Sequence, residues 1–171
     1  MKATELKEKQ RPLKEKYKEQ PEAALLTLSA EATLGEGICC KVDTGRAIAE
    51  AGLHPATGGD GQALCSGDML LEALAACAGV TLKAVATAIE FDLQDASLKA
   101  EGDLDFRGTL GVDKNTPVGF QAIRLHINLK TTESEERVAS LIKLTERYCV
   151  VYQTLKQGNK MSVQVNQGIA T

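Results

Sequence analysis

The chain has 171 residues, 43% of them hydrophobic, enough for one domain with a real core. Its net charge of −3 and pI of about 5.5 leave no basic stripe beyond an N-terminal cluster, which argues against a nucleic-acid partner. No charged-then-apolar leader opens the chain, and Glu72, Thr81 and Lys83 interrupt its longest apolar run, so a cytoplasmic protein with no membrane span is expected.

Residues 1–22 are rich in Lys, Glu and Gln and form a charged arm or solvated helix, with Leu6 and Leu13 seven apart able to dock one face. A domain over residues 23–171 follows. Its first segments, 25–34, 37–42 and 46–49, are punctuated by Gly35, Gly37 and Gly45 and predict a strand meander. Residues 52–61 carry four glycines and a proline, the composition of a loop bordering a site. A helix is predicted over 66–90, with Ser66 as N-cap and Asp68 in the first turn, where the helix dipole favours negative charge. Apolar residues surround its axis up to Val80, the mark of a buried central helix.

Two alternating runs come next, Leu98 through Phe106 and Ile123 through Leu129, each with one apolar and one polar face, joined by a long loop containing Pro117. Ser134 then caps an acidic first turn, and Val138, Leu141, Ile142 and Thr145 trace an amphipathic helix. Cys149 continues that stripe, since eleven residues past Val138 is about 20° away on the helical wheel. A further turn or two reaches Lys156, and residues 161–165 alternate as a last strand. The predicted class is α+β, in the order β-β-β-α-β-β-α-(α)-β, with sheets wrapped around the central helix.

The five cysteines, Cys39, Cys40, Cys65, Cys77 and Cys149, are too few and too irregular for a disulfide framework, and no Cys-x-x-Cys pair offers a zinc site. A single buried thiol is usually inert, but Cys77 and Cys149 are two core-facing thiols on two helices, an arrangement suited to redox chemistry. They can pair if their Cα atoms lie about 4.4–6.8 Å apart. Cys77 is eleven residues beyond Ser66, too deep for the start of its own helix to favour a thiolate, and apolar walls oppose one, so a cation from elsewhere is expected to reach it. Cys39 and Cys40 are adjacent on a strand and face opposite ways. Cys65 packs a loop, His126 belongs to a solvated strand face, and His54 lies in the glycine-rich loop; neither histidine has the spacing of a metal ligand.

The stretch from Cys65 to Cys77, with its Met69-Leu70-Leu71-Glu72-Ala73-Leu74-Ala75-Ala76-Cys77 core, resembles the signature helix of the OsmC/Ohr family of osmotically inducible and organic hydroperoxide resistance proteins. Tyr148-Cys149-Val150-Val151 is similar to that family's second signature, an aromatic-Cys-Pro-Val segment, and the element order agrees over residues 24–167. The resemblance implies an intertwined homodimer with its sites at the subunit interface. It also implies a thiol peroxidase of small organic hydroperoxides, in which Cys77 attacks and Cys149 resolves. No cofactor is implied, only an external dithiol reductant, which in the hydroperoxide-resistance branch is a lipoylated protein.

Three positions depart from the family pattern. Gly67 stands where the helix-start glutamate falls, with Asp68 the nearest acid. Glu36 to Ile38 occupy the place of the thiol-polarising arginine, leaving Arg46 on the following strand as the substitute, and Val150 replaces the proline after the resolving cysteine. Arg46 and Asp68 are therefore candidate site residues beside the two cysteines, although Asp68 lies about 180° from Cys77 on the helical wheel. The departures favour an OsmC-like side branch. They also leave a competing function, a stress-related protein without catalysis that binds an apolar small molecule at the dimer interface.

Overall fold

A computed structural model describes residues 2–25, 27, 31–34, 39–43 and 48–167. The charged arm is a helix, α1 (Ala3–Glu19), whose start is held by the Glu5 carboxylate accepting from the Lys2 backbone N–H at 3.2 Å. Leu6 is half-buried while Leu13 stays exposed, so only one of the two leucines docks.

The predicted meander is present as β1 (Glu31–Leu34), β2 (Cys39–Asp43) and β3 (Ile48–Gly52), paired antiparallel with Leu34 opposite Cys40 and Cys40 opposite Ala51. A two-residue strand, β4 (Leu64–Cys65), runs parallel to β3 and completes a four-stranded sheet. It was not foreseen, because two residues are too few to show alternation. Between β3 and β4 lies the glycine-rich loop, with one 3-10 turn over Pro55–Thr57. Gly59 is needed there: a Cβ would sit 1.7 Å from the Leu53 carbonyl oxygen.

The central helix, α2 (Ser66–Ala88), begins one residue earlier in its capping than expected, with Cys65 as N-cap and Ser66 already helical. It ends in a Schellman turn, where the Phe91 N–H donates to the Ala86 carbonyl at 2.9 Å and Glu90 takes the left-handed conformation, φ 51°. The two alternating runs form the hairpin β5 (Asp95–Leu104) and β6 (Phe120–Lys130), with Leu98 opposite Ile127 and Ala100 opposite Leu125. Phe106, expected at the end of its strand, instead starts a single helical turn, α3 (Phe106–Thr109), capped by the Asp105 carboxylate, which accepts from the Arg107 N–H at 3.0 Å.

Helix α4 (Glu135–Tyr148) has its Ser134 cap, the hydroxyl oxygen accepting from the Arg137 N–H at 3.4 Å, and Leu141 and Thr145 are fully buried on its inner face. A separate helix, α5 (Val150–Gln157), follows directly. The core gathers Leu82, Val85, Ala86, Phe91 and Leu141, with Leu98, Ile127 and Ile142 packed on it, so α2 is held by the hairpin and by α4.

Two expectations are corrected. Residues 161–165 form no strand: Met161, Val163 and Val165 are 92%, 91% and 82% exposed, and the segment pairs with none of the free edges of β1, β4, β5 and β6, because alternation gives a segment an apolar face but not a partner. Helix α2 is buried on one side only. Leu74, Ala78, Leu82, Val85 and Ala86 are covered, whereas Leu70, Ala73, Ala76 and Val80 are exposed because one chain supplies partners to a single face. In length and composition α2 would suffice to cross a membrane, a property it shares with core helices of soluble folds.

Candidate functional site

Cys77 sits mid-way along α2 and is half-buried. On the wheel it falls at the border between the covered face and the bare stripe, and Thr81, one turn on, shares that border. Cys149 is 1% exposed and occupies the joint between two helices. Its backbone (φ −74°, ψ 108°) leaves the helical region, which ends α4 and starts α5 at the same residue. Its N–H still donates to the Thr145 carbonyl at 2.9 Å, its carbonyl accepts from the Gln153 N–H at 2.9 Å, and its sulfur accepts from the Tyr152 N–H at 3.5 Å. The sequence expectation that Cys149 points inward holds. It does so as an N-cap, a role that favours small polar atoms able to accept a helix-start N–H.

Packing of α5 on α2 brings the two sulfurs together as free thiols. Burial by itself pushes the Cys77 thiol up. Hydrogen bonding from the Val151 N–H, the Cys149 thiol, the Val150 N–H and the Thr81 hydroxyl outweighs it, and the net direction is below the ordinary thiol range. Cys149 moves the other way: burial raises it, the Tyr152 N–H opposes, and the bond and charge of Cys77 raise it further. The two thiols are thus shifted in opposite directions, Cys77 toward thiolate and Cys149 toward thiol.

The groups acting on Cys77 among the described residues are all uncharged. Arg46, the substitute cation, lies outside the described residues, as do Glu36, Gly37 and Ile38. Asp68 is exposed in the first turn of α2, on the opposite side from Cys77. Gly67, in the place of the glutamate, lies against Phe120 and Cys65, where a Cβ would meet the ring at 3.5 Å and the sulfur at 3.6 Å. Val150, in the place of the proline, has the N–H that proline lacks.

The remaining candidates stand apart. Cys39 and Cys40 lie on β2, and Cys65 is half-buried ahead of α2. His54 accepts from the Ala56 N–H through Nδ1 at 3.0 Å and stacks on Phe106 with ring centroids 5.1 Å apart, so it shapes its own loop. His126 pairs with Glu101 at 3.0 Å on the wet face of the hairpin. Among the described residues no three His, Cys, Asp or Glu side chains converge to hold a metal. Beside Cys149 a groove of about 340 Å³ runs between β6 and α4, lined by Ala78, Ile123, Leu125, Ile142 and Tyr152. Thr81 and the two N–H groups of α5 were missed from sequence. The i, i+4 spacing of Cys77 and Thr81 was the legible signal for the first.

The comparisons with known proteins point one way. The family model described as OsmC-like protein matches residues 59–164. No curated protein matches. Among solved structures, the chain is similar to an OsmC like protein from Mycoplasma pneumoniae, at 21% identity and TM-score 0.64 over 78% of this chain and 89% of that one. It is similar to an organic hydroperoxide resistance protein OsmC from Legionella pneumophila, at 22% identity and TM-score 0.61 over 78% and 91%. The organic hydroperoxide resistance protein OhrB of Bacillus subtilis is a third, at 22% identity and TM-score 0.56 over 80% and 94%. At these identities the likeness establishes the fold.

Proposed function

This chain belongs to the OsmC-like protein family, and on that premise we propose that it is a two-cysteine peroxidase of organic hydroperoxides, with Cys77 attacking and Cys149 resolving. The inequality of the two sulfurs carries this reading. Cys77 is accessible and shifted toward thiolate, whereas Cys149 is buried and shifted toward thiol. An attacking sulfur must be ionised and reachable, and a resolving one need only wait beside it.

The Cys77 thiolate attacks the terminal oxygen of the hydroperoxide, the O–O bond breaks, and the departing alkoxide takes a proton to leave as the alcohol. Cys77 is then a sulfenic acid. Cys149 attacks that sulfur, water leaves, and a Cys77–Cys149 disulfide forms. An external dithiol, such as a lipoylated protein, returns two electrons and two protons to restore both thiols. The groove beside Cys149, mostly apolar but also lined by Thr145 and Glu146, supports a substrate with a hydrocarbon body.

The protein acts in this reading as a cytoplasmic homodimer, free thiols suiting a reducing compartment. A second copy would cover the bare stripe of α2 and supply a sheet edge to residues 161–165, both of which leave large apolar side chains in water in one chain alone. The test is turnover of cumene hydroperoxide with a dithiol. Cys77→Ser should lose about a thousandfold or more of kcat/KM; a variant as fast as wild type removes the peroxidase reading.

The same groove favours a second reading, binding of an apolar small molecule without turnover. A Cys77 that titrates at or above the free-thiol reference of about 8.5 would favour it.

A further inference from the structure

The N-terminal arm differs in charge from the domain behind it. Residues 1–20 carry seven Lys or Arg against four Glu, in a chain whose net charge is −3. Helix α1 also sorts those charges by face. At about 100° per residue, Leu13 and Tyr17 form a narrow apolar strip, with Lys9 and Lys16 along one side and Lys7 and Lys14 along the other. Glu8, Glu15 and Glu19 lie about 160° round the helix from that strip, and the Glu5 carboxylate is used by the start of α1.

In the fold the strip is uncovered and its lysines are unanswered. The first turns of α1 dock, with Ala3, Leu6 and Gln10 half-buried, and together with Lys7 and Lys14 they border a cleft against Ala88 and Glu90 at the end of α2. Leu13 and Tyr17 remain exposed, as do all four lysines. Lys9 and Lys16 lie on the flank away from that cleft. Among the described residues none of the four pairs with a carboxylate, whereas the hairpin sets Arg124 against Asp103 and α4 sets Arg137 against Glu133.

We propose that the outer face of α1 is a docking surface for an anionic lipid bilayer, with Lys9 and Lys16 on headgroup phosphates and Leu13 and Tyr17 at the acyl boundary. A bilayer surface meets both parts of this face: lysine stems cover apolar surface while their heads stay in the polar layer, and tyrosine suits a boundary with one wet side. A second copy of α1 does not, because either direction of pairing sets one lysine flank against another. A coiled-coil partner needs a seam of about three or four heptads, and α1 has the length of little more than two, the first already docked on α2. Nucleic acid would use the lysines but leave Leu13 and Tyr17 in water. The acidic remainder of the chain is repelled by the same surface, which turns the arm toward it. The contact is peripheral and makes no use of the two thiols.

The experiment sediments the full chain with vesicles of phosphatidylcholine, alone or with about one-third phosphatidylserine, at low and high salt, with helix content checked by circular dichroism. Anionic vesicles should bind at least about tenfold more protein than neutral ones, and high salt should release it. Lys9→Gln with Lys16→Gln should weaken binding about tenfold or more. Arg11→Gln with Lys143→Gln removes the same charge from the far side of α1 and from α4, and should cost less than about threefold. Leu13→Gln with Tyr17→Gln should cost about threefold or more at constant charge. Equal binding to neutral and anionic vesicles, equal losses in the two charge-matched pairs, or unaltered binding after the Leu13 and Tyr17 changes would overturn the proposal. Capture by duplex DNA as strong as by the anionic vesicles would overturn it too.

Discussion

The two ends of α2 are built on different principles. Its C-terminal half is closed by its own chain: Leu82, Val85 and Ala86 pack on Phe91 and Leu141, and Arg137 reaches over from α4 to donate to the Ile89 and Glu90 carbonyls at 3.4 and 3.2 Å. The preceding stretch, through Val80, carries Cys77 and leaves Leu70, Ala73, Ala76 and Val80 open. One end anchors the helix by burial and charge. The other carries a half-buried thiol and leaves one flank bare. A helix fixed at one end can present a thiol at the other without a closed core around it.

The sharpest contrast pairs Leu141 with Val80. Leu141→Ala removes a side chain with no exposure from the closed end, and unfolding in urea should report a loss of about 2–5 kcal/mol. Val80 is 73% exposed in one chain. Val80→Arg should keep the helix content of wild type but drop the mass in light scattering from twice 18.2 kDa to about 18.2 kDa. A variant that remains dimeric would break the assignment of the bare stripe to the second copy.

Acid should weaken the closed end. The Arg137 guanidinium, together with the Asp92 N–H, holds the Glu133 carboxyl down to about 2, against about 4.3 in an unfolded chain. A carboxyl lowered on folding stabilises the fold above its unfolded value, and that contribution fades as pH falls from about 4.3 toward 2. Arg137→Ala should remove the Glu133 contribution and so flatten a pH series of urea midpoints over that range. The smallest effect is at Glu90, a side-chain-bearing residue with φ 51° in the Schellman turn. Glu90→Gly relieves that conformation and should raise stability by about 1 kcal/mol in the same assay.

Much of this organisation was legible in the order of residues. Period-two alternation identified the β5–β6 hairpin because its two faces meet different media. The Ser134 cap and the stripe through Leu141 and Thr145 identified α4 for the same reason at helical period. The alternation at residues 161–165 was real too, but alternation states only that a segment has an apolar face and not that its own chain will cover it. Apolar residues all around the first half of α2 likewise read as burial, and in one chain became a bare stripe.

The residue order by itself determined that Cys149 points toward the core, since side-chain direction follows from local periodicity, whereas Cys77, expected to do the same, lies half-buried at the border of the bare stripe. It could not determine what would ionise one of them. The candidate for the expected cation, Arg46, lies outside the described residues. The donors around Cys77 are two backbone N–H groups, which every residue but proline carries, and a hydroxyl four residues away. Only the tertiary structure decided that the chain breaks its helical conformation at Cys149 and packs α5 on α2, because that depends on contacts between segments far apart in the chain.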